Sequence, residues 1–389
     1  MKPTRPVHSI KGEMMTGNNR AWLDSMNRQV DFHLRGDPRR RNEPEVHYAL
    51  GDGGTLSPAR KMRDIVKQGL RVFGLHTPGQ YQLLKWMNGN AEKLWESRSL
   101  FGDELSKTQF DAAILLRVVG HRRFYFPRTE YEEFLEIVDE QPFFNPDLPG
   151  SITGYSLKLF EIRLKDPEVN SPIRMVASRE NIVLMNHYRQ YILRRKNVDL
   201  SPASGDIVLD CGACIGDISL LFAGLVAPRG EVHIFDPVPL HSRYCQLQAS
   251  LNPSLAPMIH INQLAVGKCT QVVNGDIGDS DKIAPGCLAI DSYSSTSLDD
   301  YVTTRRLRSV DFIKMDVEGS EMDAIEGSSE TVRKYKPRLA ISAYHKHEDL
   351  WTIPMKIKSL NPGYELYFGH HSPVSYESVI YAVQPSKDP

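Results

Sequence analysis

Cysteine is scarce in this chain, with five residues among 389, all between positions 211 and 287. An odd and clustered set does not build a disulfide framework, which predicts a reducing compartment and a cytoplasmic location. Cys211 and Cys214 have C-x-x-C spacing, but no second pair stands at the distance that a zinc site needs. The pattern therefore favours small packing residues over a metal or redox role for these two cysteines.

Long apolar runs and an excess of one charge are also missing. The longest apolar stretch, Ile218 to Ala227, is far shorter than the roughly 20 residues that span a membrane. The segment Met1 to Pro6 lacks the apolar core of a signal peptide. Forty-seven basic residues against 48 acidic ones leave a formal net charge of −1. This balance argues against a nucleic-acid partner, because phosphate backbones are met by clustered Lys and Arg, and the short run Arg39 to Arg41 is typical of a solvated loop.

The length of the chain predicts two domains, or one domain with a large extension. Residues 1–60 are rich in Arg, Asn, Gly and Pro, which predicts loop, or helix that orders only against another surface. Residues 61–200 show three- and four-residue apolar spacing interrupted by prolines, typical of a mainly helical accessory region of mixed structure. Residues 201–389 change to regular alternation and form the third predicted unit.

Strands alternate with helices after Pro202. Seven strands are predicted, at 207–210, 232–236, 259–264, 312–317, 339–344, 366–370 and 379–383. Helical patterns separate most of them, at 218–227, 240–251, 320–333 and 350–360. This alternation predicts an α/β fold with a mainly parallel sheet covered on both faces. The last two strands are joined by a short turn, which predicts an antiparallel hairpin at the sheet edge, and residues 271–300, with no clear helix, are expected to pass over the mouth of the site.

The first strand ends in a glycine turn: Asp210 is followed by Gly212, Gly216 and Asp217, where a helical pattern begins. A strand, a glycine turn and a helix N-terminus bring a small polar ligand against backbone N–H groups. The spacing D-x-G-x-x-x-G excludes a G-x-G-x-x-G dinucleotide site and resembles motif I of the class I S-adenosylmethionine (SAM)-dependent methyltransferases. Gly212 is predicted to lie against the cofactor, because a Cβ at this position would collide with it. Asp217 is predicted either to contact the cofactor or to cap the helix.

Two further positions complete the predicted cofactor site. Asp236 ends the second strand, about twenty residues after the glycine turn, where an acid can accept both hydroxyls of a ribose. A turn-forming Asp-Pro pair is the structural alternative for Asp236. Ala265, directly after the third predicted strand, is included among the cofactor contacts.

A cluster of carboxylates ends the fourth predicted strand, in Asp311-Phe-Ile-Lys-Met-Asp-Val-Glu-Gly-Ser-Glu321. Asp316 falls at the strand end, beside the glycine turn, and is predicted to be catalytic. Three carboxylates this close need a positive partner, which the sulfonium of SAM, a divalent metal held by Asp316 and Glu318, or Lys314 could supply. For Glu321 a helix-capping role is favoured.

Several segments together resemble the signature of the FkbM family of methyltransferases: Ile313-Lys-Met-Asp-Val-Glu-Gly-Ser-Glu321, Ser297-Leu-Asp-Asp300, Lys336-Pro-Arg-Leu339, Asp210-Cys-Gly-Ala213 and His371-Ser-Pro…Glu377-Ser-Val-Ile-Tyr381. The similarity covers residues 205–383, and Trp95–Gly120 also resembles a segment of longer members. The resemblance implies a class I Rossmann-like sheet of order 3-2-1-4-5-7-6 and SAM-dependent O-methylation, commonly of sugar hydroxyls. Many members have Glu where this chain has Asp236, a conservative departure that should keep the ribose contact.

A hydroxyl acceptor needs a base, because a protonated alcohol is a poor nucleophile. His345 and His347 lie just past the fifth strand, and His370 and His371 end the sixth. Histidine suits proton removal near neutral pH, and His345, nearest the strand end, is the predicted base. A metal held by the carboxylates or a histidine is the alternative way to activate the hydroxyl.

These features predict a SAM-dependent O-methyltransferase that acts on a hydroxyl of a sugar, in a glycan or a glycosylated natural product. The alternatives are methylation of a polyketide or other small natural product, and a non-catalytic SAM-binding protein, against which the intact motif residues argue. Nucleic-acid methylation is disfavoured by the neutral charge and by the lack of an N-P-P-Y-like tetrapeptide. The accessory region is expected either to cover the site or to mediate homo-oligomerisation.

Overall fold

The computed structural model describes residues 17–35, 78–121, 124, 128–140, 143–144, 147–150, 152, 156–163, 172–195, 198–274 and 292–385. Three sequence predictions lie outside these residues: the loops expected in most of 1–60, the arginine run at 39–41, and the middle of the segment expected over the mouth of the site, 275–291.

The described N-terminal part is mainly helical. Its helices are α1 (Gly17–Arg35), α2 (Pro78–Gly89), α3 (Ala91–Ser99), α4 (Glu104–Val119) and α5 (Arg128–Asp139). Trp22, Met26 and Val30 of α1 recur every four residues and are all buried, as expected where one face of a helix packs on a neighbour. The indole of Trp22 donates to Oδ1 of Asp111 in α4 at 3.0 Å. The helix in this arginine-rich segment therefore rests on another surface.

Short strands follow the helices. Three form an antiparallel sheet, β1 (Phe143–Phe144), β2 (Lys158–Ile162) and β3 (Ile173–Ala177). Helix α6 (Arg179–Ile182) continues into a π-helical turn at Val183–His187, and β4 (Leu193–Arg195) then pairs with β5 (Val198–Leu200).

The remainder of the chain alternates strands and helices. In chain order these are β6 (Ile207–Cys211), α7 (Asp217–Val226), β7 (Glu231–Phe235), α8 (Pro239–Leu251), β8 (Ile259–Asn262), β9 (Ala265–Val266), β10 (Gln271–Asn274), β11 (Ser292–Thr296), α9 (Leu298–Arg305), β12 (Phe312–Met315), α10 (Glu321–Glu326), α11 (Ser329–Tyr335), β13 (Arg338–Ser342), α12 (Asp349–Leu360), β14 (Glu365–His370) and β15 (Ser378–Val383). The seven predicted strands are all present, with ends shifted by at most two residues.

The central sheet has the order β8-β7-β6-β12-β13-β15-β14. The pairs from β8 to β13 are parallel, whereas β15 is antiparallel to both β13 and β14. Numbered along the sheet's own strands, this is 3-2-1-4-5-7-6, so the predicted class I α/β order and the closing hairpin are confirmed. Strand β6 is buried at all five residues, as expected for a parallel strand covered on both faces.

Two helices differ from the prediction. The single helix expected at 320–333 is split into α10 and α11 around Gly327, where a Cβ would lie 2.1 Å from the carbonyl oxygen of Gly267. Helix α9 was not predicted in the region from 271 to 300. It begins after Ser297, whose Oγ accepts from the N–H of Asp300 at 3.1 Å, a serine N-cap that is itself a sequence signal.

The N-terminal helices and the sheet share one apolar core. Phe110 of α4 packs edge-on against Phe368 of β14, with ring centroids 5.2 Å apart. Arg117 of α4 donates from Nη2 to the carbonyl oxygen of Ala343, just after β13, at 3.0 Å. The domain boundaries at 60 and 200 stay predictions, while these contacts tie the described helices to the sheet beside β14. Among the described helices, none combines the length and the apolar character needed to cross a membrane.

Candidate functional site

The turn after β6 is formed by two glycines in the left-handed region. Gly212 has φ +76° and Gly216 has φ +77°, a conformation that side-chain-bearing residues rarely adopt. A Cβ on Gly212 would lie 1.7 Å from the backbone oxygen of Asp316. A neighbouring strand end therefore occupies the space where that Cβ would lie, while the close approach of the cofactor to Gly212 stays a prediction. Cys211 and Cys214 in this turn are both free.

Asp210 is buried in an ion pair instead of lining an open surface. It is 0% exposed, its Oδ1 lies 3.0 Å from Nζ of Lys314, and its Oδ2 accepts from Oγ of Ser219 at 2.5 Å. Lys314 also donates to the carbonyl oxygen of Gly212 at 2.6 Å. Burial lowers the pKa of Lys314, but the charges of Asp210 and Asp316 more than offset this and raise it above its ordinary value. Asp210 thus stabilises the turn through Lys314 and Ser219.

Asp217 and Ala265, two other predicted cofactor contacts, lie in ordered backbone next to the turn. Asp217 is the first residue of α7 and is buried. Its Oδ2 accepts from Nδ2 of Asn181 in α6 at 2.8 Å, and its Oδ1 accepts from the N–H of Ile218 at 2.9 Å. Burial raises the pKa of Asp217. These bonds are those of a helix-capping acid, and Ala265 stands half-buried in β9, paired with Ser295 of β11.

Asp236 follows β7 and holds the glycine turn of β6. Its Oδ2 accepts from the N–H of Cys214 at 2.9 Å, and its Oδ1 accepts from the N–H of Val238 at 2.9 Å. Oδ1 also lies 2.9 Å from Nδ1 of His241. Although burial lowers the pKa of His241, Cys214 and Asp236 raise it to about 11. A carboxylate offers about four acceptor positions, so Asp236 combines the Asx-turn role with capacity for about one further donor.

Asp316, directly after β12, carries the accessible carboxylate of the site. Its Oδ2 accepts from the hydroxyl of Tyr191 at 2.9 Å, and its Oδ1 accepts from the hydroxyl of Tyr344 at 3.0 Å. Burial raises the pKa of Asp316, but Lys314, His345 and the two hydroxyls together lower it below its ordinary value. Asp316 is therefore ionised at neutral pH, and 21% of its side chain is exposed.

His345 lies among three carboxylates. Its Nδ1 is 2.9 Å from Oε1 of Glu321, and its Nε2 is 3.4 Å from Oε2 of Glu318 and 3.6 Å from Oδ1 of Asp316. Burial lowers the pKa of His345, but Glu318, Glu321 and Asp316 raise it to about 11. At neutral pH the ring is already protonated and cannot take up another proton. The raised pKa disfavours His345 as a general base and makes it a cationic partner of these acids, while the assignment of the base stays a prediction.

The two glutamates beside His345 occupy different environments. Glu318 has φ +51° and a side chain that is 68% exposed. Glu321 is fully buried, and its Oε1 accepts from the N–H of Val317 at 3.0 Å. This bond holds the loop that leads into α10, and the favoured capping role stays a prediction. Ligand-type atoms of Asp316, Glu321 and His345 all lie within 4.8 Å of one another. The group that could hold a metal therefore contains Glu321 in the place predicted for Glu318.

The remaining candidate bases differ in burial. His370 and His371 are buried, and burial lowers the pKa of each to about 3. Nδ1 of His370 lies 2.9 Å from Oγ of Ser378, and Nε2 of His371 lies 2.8 Å from the hydroxyl of Tyr381. These two rings are structural and neutral. His347 is exposed and packs at a tilt against Trp86 of α2, with ring centroids 4.9 Å apart.

Two residues of the site were missed in the sequence. Tyr191 comes from the accessory region, 125 positions before the Asp316 that it contacts, and no local pattern links them. Glu377 precedes β15 with φ +66° and accepts from Nε2 of Gln190. Burial, followed by the charge of Asp316, raises the pKa of Glu377 to about 7. Its place in the FkbM-like closing segment was the one available signal.

Comparison with known proteins finds a family model that matches part of the chain. The family model described as "Methyltransferase FkbM domain" matches residues 210–370. A solved FkbM methyltransferase from Methylobacillus flagellatus KT aligns with a TM-score of 0.50 and 20% identity, over 86% of this chain and 72% of that one. A search of curated proteins gives no match.

Weaker structural matches are also methyltransferase-like. A SAM-dependent methyltransferase from Aquifex aeolicus aligns with a TM-score of 0.29 and 14% identity, over 48% of this chain and 86% of that one. Fibrillarin from Aeropyrum pernix, solved with bound SAM, aligns with a TM-score of 0.35 and 12% identity, over 62% and 98%. Neither similarity is strong enough to carry an argument here.

The family model and the sheet order concern the same part of the chain. The matched residues begin at Asp210 in β6 and end at His370 in β14, and so contain six of the seven strands of the class I sheet. Residues 210–370 of this chain therefore match the FkbM methyltransferase domain, and the sheet to which these residues contribute has the class I strand order.

Proposed function

We propose that the chain transfers a methyl group from SAM to a hydroxyl oxygen of a sugar, in a glycan or a glycosylated natural product. The observation that carries this proposal is the carboxylate of Asp316: it is ionised, partly exposed and held at both oxygens by the hydroxyls of Tyr191 and Tyr344. It lies at the strand end next to the glycine turn, where ligands of doubly wound sheets bind.

The residues around the turn fit the chemistry of SAM. SAM supplies a methyl group on a positively charged sulfur. Asp236 retains acceptor capacity for about one ribose hydroxyl, and the ionised Asp316 and the exposed Glu318 place negative charge near the cationic part of the cofactor. No side chain is present at Gly212 or Gly216, and Ala265 has only a methyl group. These three residues therefore leave space for the proposed cofactor. Asp210 and Asp217 act on the turn from within, through Lys314 and Asn181.

Asp316 is proposed to accept the hydrogen bond, and then the proton, of the acceptor hydroxyl. As the new C–O bond forms and the S–C bond breaks, that proton becomes strongly acidic, so an ionised carboxylate can take it even with a low pKa. Tyr191 and Tyr344 hold the carboxylate in one orientation, which contributes alignment. His345 is proposed to offset the charge of Glu321 and Glu318 and so to keep Asp316 as the free acceptor.

An exposed aromatic ring supports a sugar as the acceptor. Tyr376 is 50% exposed, and its ring stands edge-on to Tyr344, with centroids 6.1 Å apart. Since Tyr344 is bonded to Asp316, this ring lies beside the proposed reaction site. The apolar face of a sugar ring can pack on such a surface, although a polyketide acceptor could use it as well.

The decisive experiment measures methyl transfer by Asp316→Asn, with labelled SAM and a panel of mono- and oligosaccharides and macrolides. Loss of the proton acceptor should lower kcat by about 100- to 10,000-fold, while calorimetric binding of S-adenosylhomocysteine stays intact. Asp323→Asn, at an exposed position of α10, is the matched control. Full activity of Asp316→Asn would contradict the proposed chemistry, and transfer to macrolides but not to sugars would favour the polyketide alternative.

A separate binding measurement addresses the non-catalytic alternative and the cofactor site. Asp236→Ala should weaken the binding of S-adenosylhomocysteine, because it removes the proposed ribose acceptor and the bond to Cys214. Tight binding without turnover on any acceptor would favour a non-catalytic SAM-binding protein. Unchanged binding would contradict the assignment of Asp236.

We propose further that the proton on His345, in place of a divalent metal, balances the carboxylates. Turnover should then be unchanged by EDTA. Loss of turnover that Mg²⁺ restores would instead place a metal on Asp316, Glu321 and His345, where ligand-type atoms already converge.

The accessory region and the location complete the proposal. Tyr191 reaches Asp316, and Trp86 of α2 packs against His347 at the rim, which supports a covering role for the region over one in homo-oligomerisation. The cytoplasmic location that the cysteine content predicts is retained as part of this proposal.

A further inference from the structure

A second group of ligand-type side chains lies at the β8 edge of the sheet, apart from the proposed methyl-transfer site. Glu231 and His233 are two residues apart in β7, and alternate residues of a strand share a face. His260 of β8 is the direct register partner of His233. The three side chains therefore meet on one face of the β7–β8 pair. His233 precedes Asp236 by three residues, or about 10 Å along an extended chain.

The spacing of the ligand atoms fits a small cation. Oε2 of Glu231 lies 3.1 Å from Nε2 of His233 and 3.7 Å from Nε2 of His260. All three ligand atoms lie within 4.8 Å of one another, and the two imidazole rings are stacked, with centroids 4.7 Å apart. Ligands about 2.0–2.1 Å from a tetrahedral Zn²⁺ are roughly 3.3–3.4 Å from each other. The distances from Oε2 of Glu231 to the two imidazole nitrogens, 3.1 Å and 3.7 Å, lie on either side of that value.

The other nitrogen of His233 has the partner that metal-bound histidines use. Nδ1 of His233 lies 2.9 Å from the hydroxyl of Tyr301 in α9, and that hydroxyl donates to Oδ1 of Asn262 at 3.1 Å. With the tyrosine proton directed to Asn262, Nδ1 is the donor and Nε2 carries a lone pair toward Glu231. A fixed N–H partner of this kind orients the ligating nitrogen, and a cation between Nε2 and Oε2 would join two electron-rich atoms.

The group is also reachable from solvent. The side chain of Glu231 is 33% exposed and that of His260 is 43% exposed, whereas that of His233 is 5% exposed. Arg305 is a nearby cation, but its guanidinium lies on Oδ1 of Asn262 at 3.3 Å and over the ring of Tyr301. The side of the group toward Glu231 and His260 is thus open for an ion and for a water as fourth ligand.

We propose that Glu231, His233 and His260 bind one divalent transition-metal ion of the Zn²⁺ type. The ion connects β8 to β7, and Tyr301 orients the ligating ring of His233. Two imidazole nitrogens and one carboxylate oxygen suit Zn²⁺ and its neighbours in the first transition row better than Mg²⁺ or Ca²⁺, which prefer oxygen ligands. The site is independent of the proposed methyl transfer.

The test uses the full chain, freed of metal by dialysis against a chelator and titrated with ZnCl₂ in a calorimeter and with Co²⁺ in a spectrophotometer. One equivalent of Zn²⁺ should bind and raise Tm, and Co²⁺ should show the visible absorption of a four-coordinate site. His260→Asn and Glu231→Gln should weaken this binding by about 100-fold or more, because even the loss of a ligand's partner costs about 10- to 100-fold. Tyr301→Phe removes the partner of Nδ1 of His233 and should lower the affinity for Zn²⁺ by about 10- to 100-fold.

Two control variants keep the proposal falsifiable. His347→Asn removes an exposed histidine away from this group, and His345→Asn disrupts the carboxylate cluster at Asp316, the other described place where ligand atoms converge. Both should bind Zn²⁺ as the parent does. The proposal is overturned if the parent binds no Zn²⁺, or if His345→Asn loses the ion while His260→Asn and Glu231→Gln keep it.

Discussion

The ends of β6 and β12 lie side by side in the sheet, and each carries an aspartate with a different task. Asp210 is in register with Lys314, is 0% exposed and is neutralised within the protein. Asp316 lies beyond the end of β12, is partly exposed and is bound only by neutral tyrosine hydroxyls and the edge of an imidazolium. The comparison shows that the motif aspartate supports the turn, whereas the aspartate of the neighbouring strand keeps a partly exposed carboxylate.

The largest effect is expected on the β6 side of this comparison, where a substitution removes the positive partner of Asp210. Lys314→Met leaves the carboxylate of Asp210 buried without its positive partner, which should cost about 3–5 kcal/mol of unfolding free energy in urea titrations. Lys334→Met, at an exposed position of α11, should change it by less than about 0.5 kcal/mol. The double variant Asp210→Asn/Lys314→Met should recover part of the loss. Equal effects of the two single lysine variants would refute the view that Asp210 is held by a buried ion pair.

A somewhat smaller effect is expected where the two strand ends touch. In Gly212→Ala the new Cβ would lie 1.7 Å from the backbone oxygen of Asp316, and the clash together with φ +76° should cost about 2–4 kcal/mol. Gly205→Ala is the matched control: its φ is +94°, but nothing lies within 4 Å of its Cβ, so it should lose about 1–2 kcal/mol. Thermal unfolding of both variants separates the cost of the clash from the cost of the backbone conformation. If Gly212→Ala loses no more unfolding free energy than Gly205→Ala, the strand ends are not closely packed.

The smallest expected effect concerns the β12 side, through Glu377. Burial raises its pKa to about 7 from the ordinary 4.5. Because the folded pKa is the higher one, its contribution to stability is complete below the unfolded pKa and is lost as the pH rises through about 7. Between about pH 5 and pH 8 the parent should therefore lose about 2 kcal/mol of unfolding free energy relative to Glu377→Gln.

The control for this pH profile is Glu330→Gln, which changes a glutamate whose side chain is 79% exposed. Its profile should run parallel to that of the parent. If the profile of Glu377→Gln is parallel as well, Glu377 does not bind a proton more tightly in the folded state.

Much of the fold was predictable because it depends on short-range patterns. Apolar runs that end in Asp210 and Asp236, each followed by a helical period, fix strand after strand and therefore the parallel sheet. The turn at Ser372–Pro373 is too short for a crossover, so the last two strands had to form a hairpin. Helix α9 could have been found from its serine cap. The break at Gly327 could not, because the backbone of Gly267 causes it from a distance.

The site was predictable in position but not in its charges. Lys314 was one of three candidates to offset the cluster at Asp316; strand register places it opposite Asp210, and its charge also lowers the pKa of Asp316. His345 is a second positive partner of these acids, which disfavours it as the base. Pairings of this kind depend on which side chains the register and the loops bring together.

The sequence by itself determined the resemblance to the FkbM family, the order of the strands and the strand ends where polar residues gather, because hydrophobic period and glycine spacing are local properties. Only the tertiary structure decided which acid is buried, which is open and which histidine is charged. Those outcomes depend on burial and on partners such as Tyr191 and Glu377, which lie far along the chain from Asp316 and meet it only after folding.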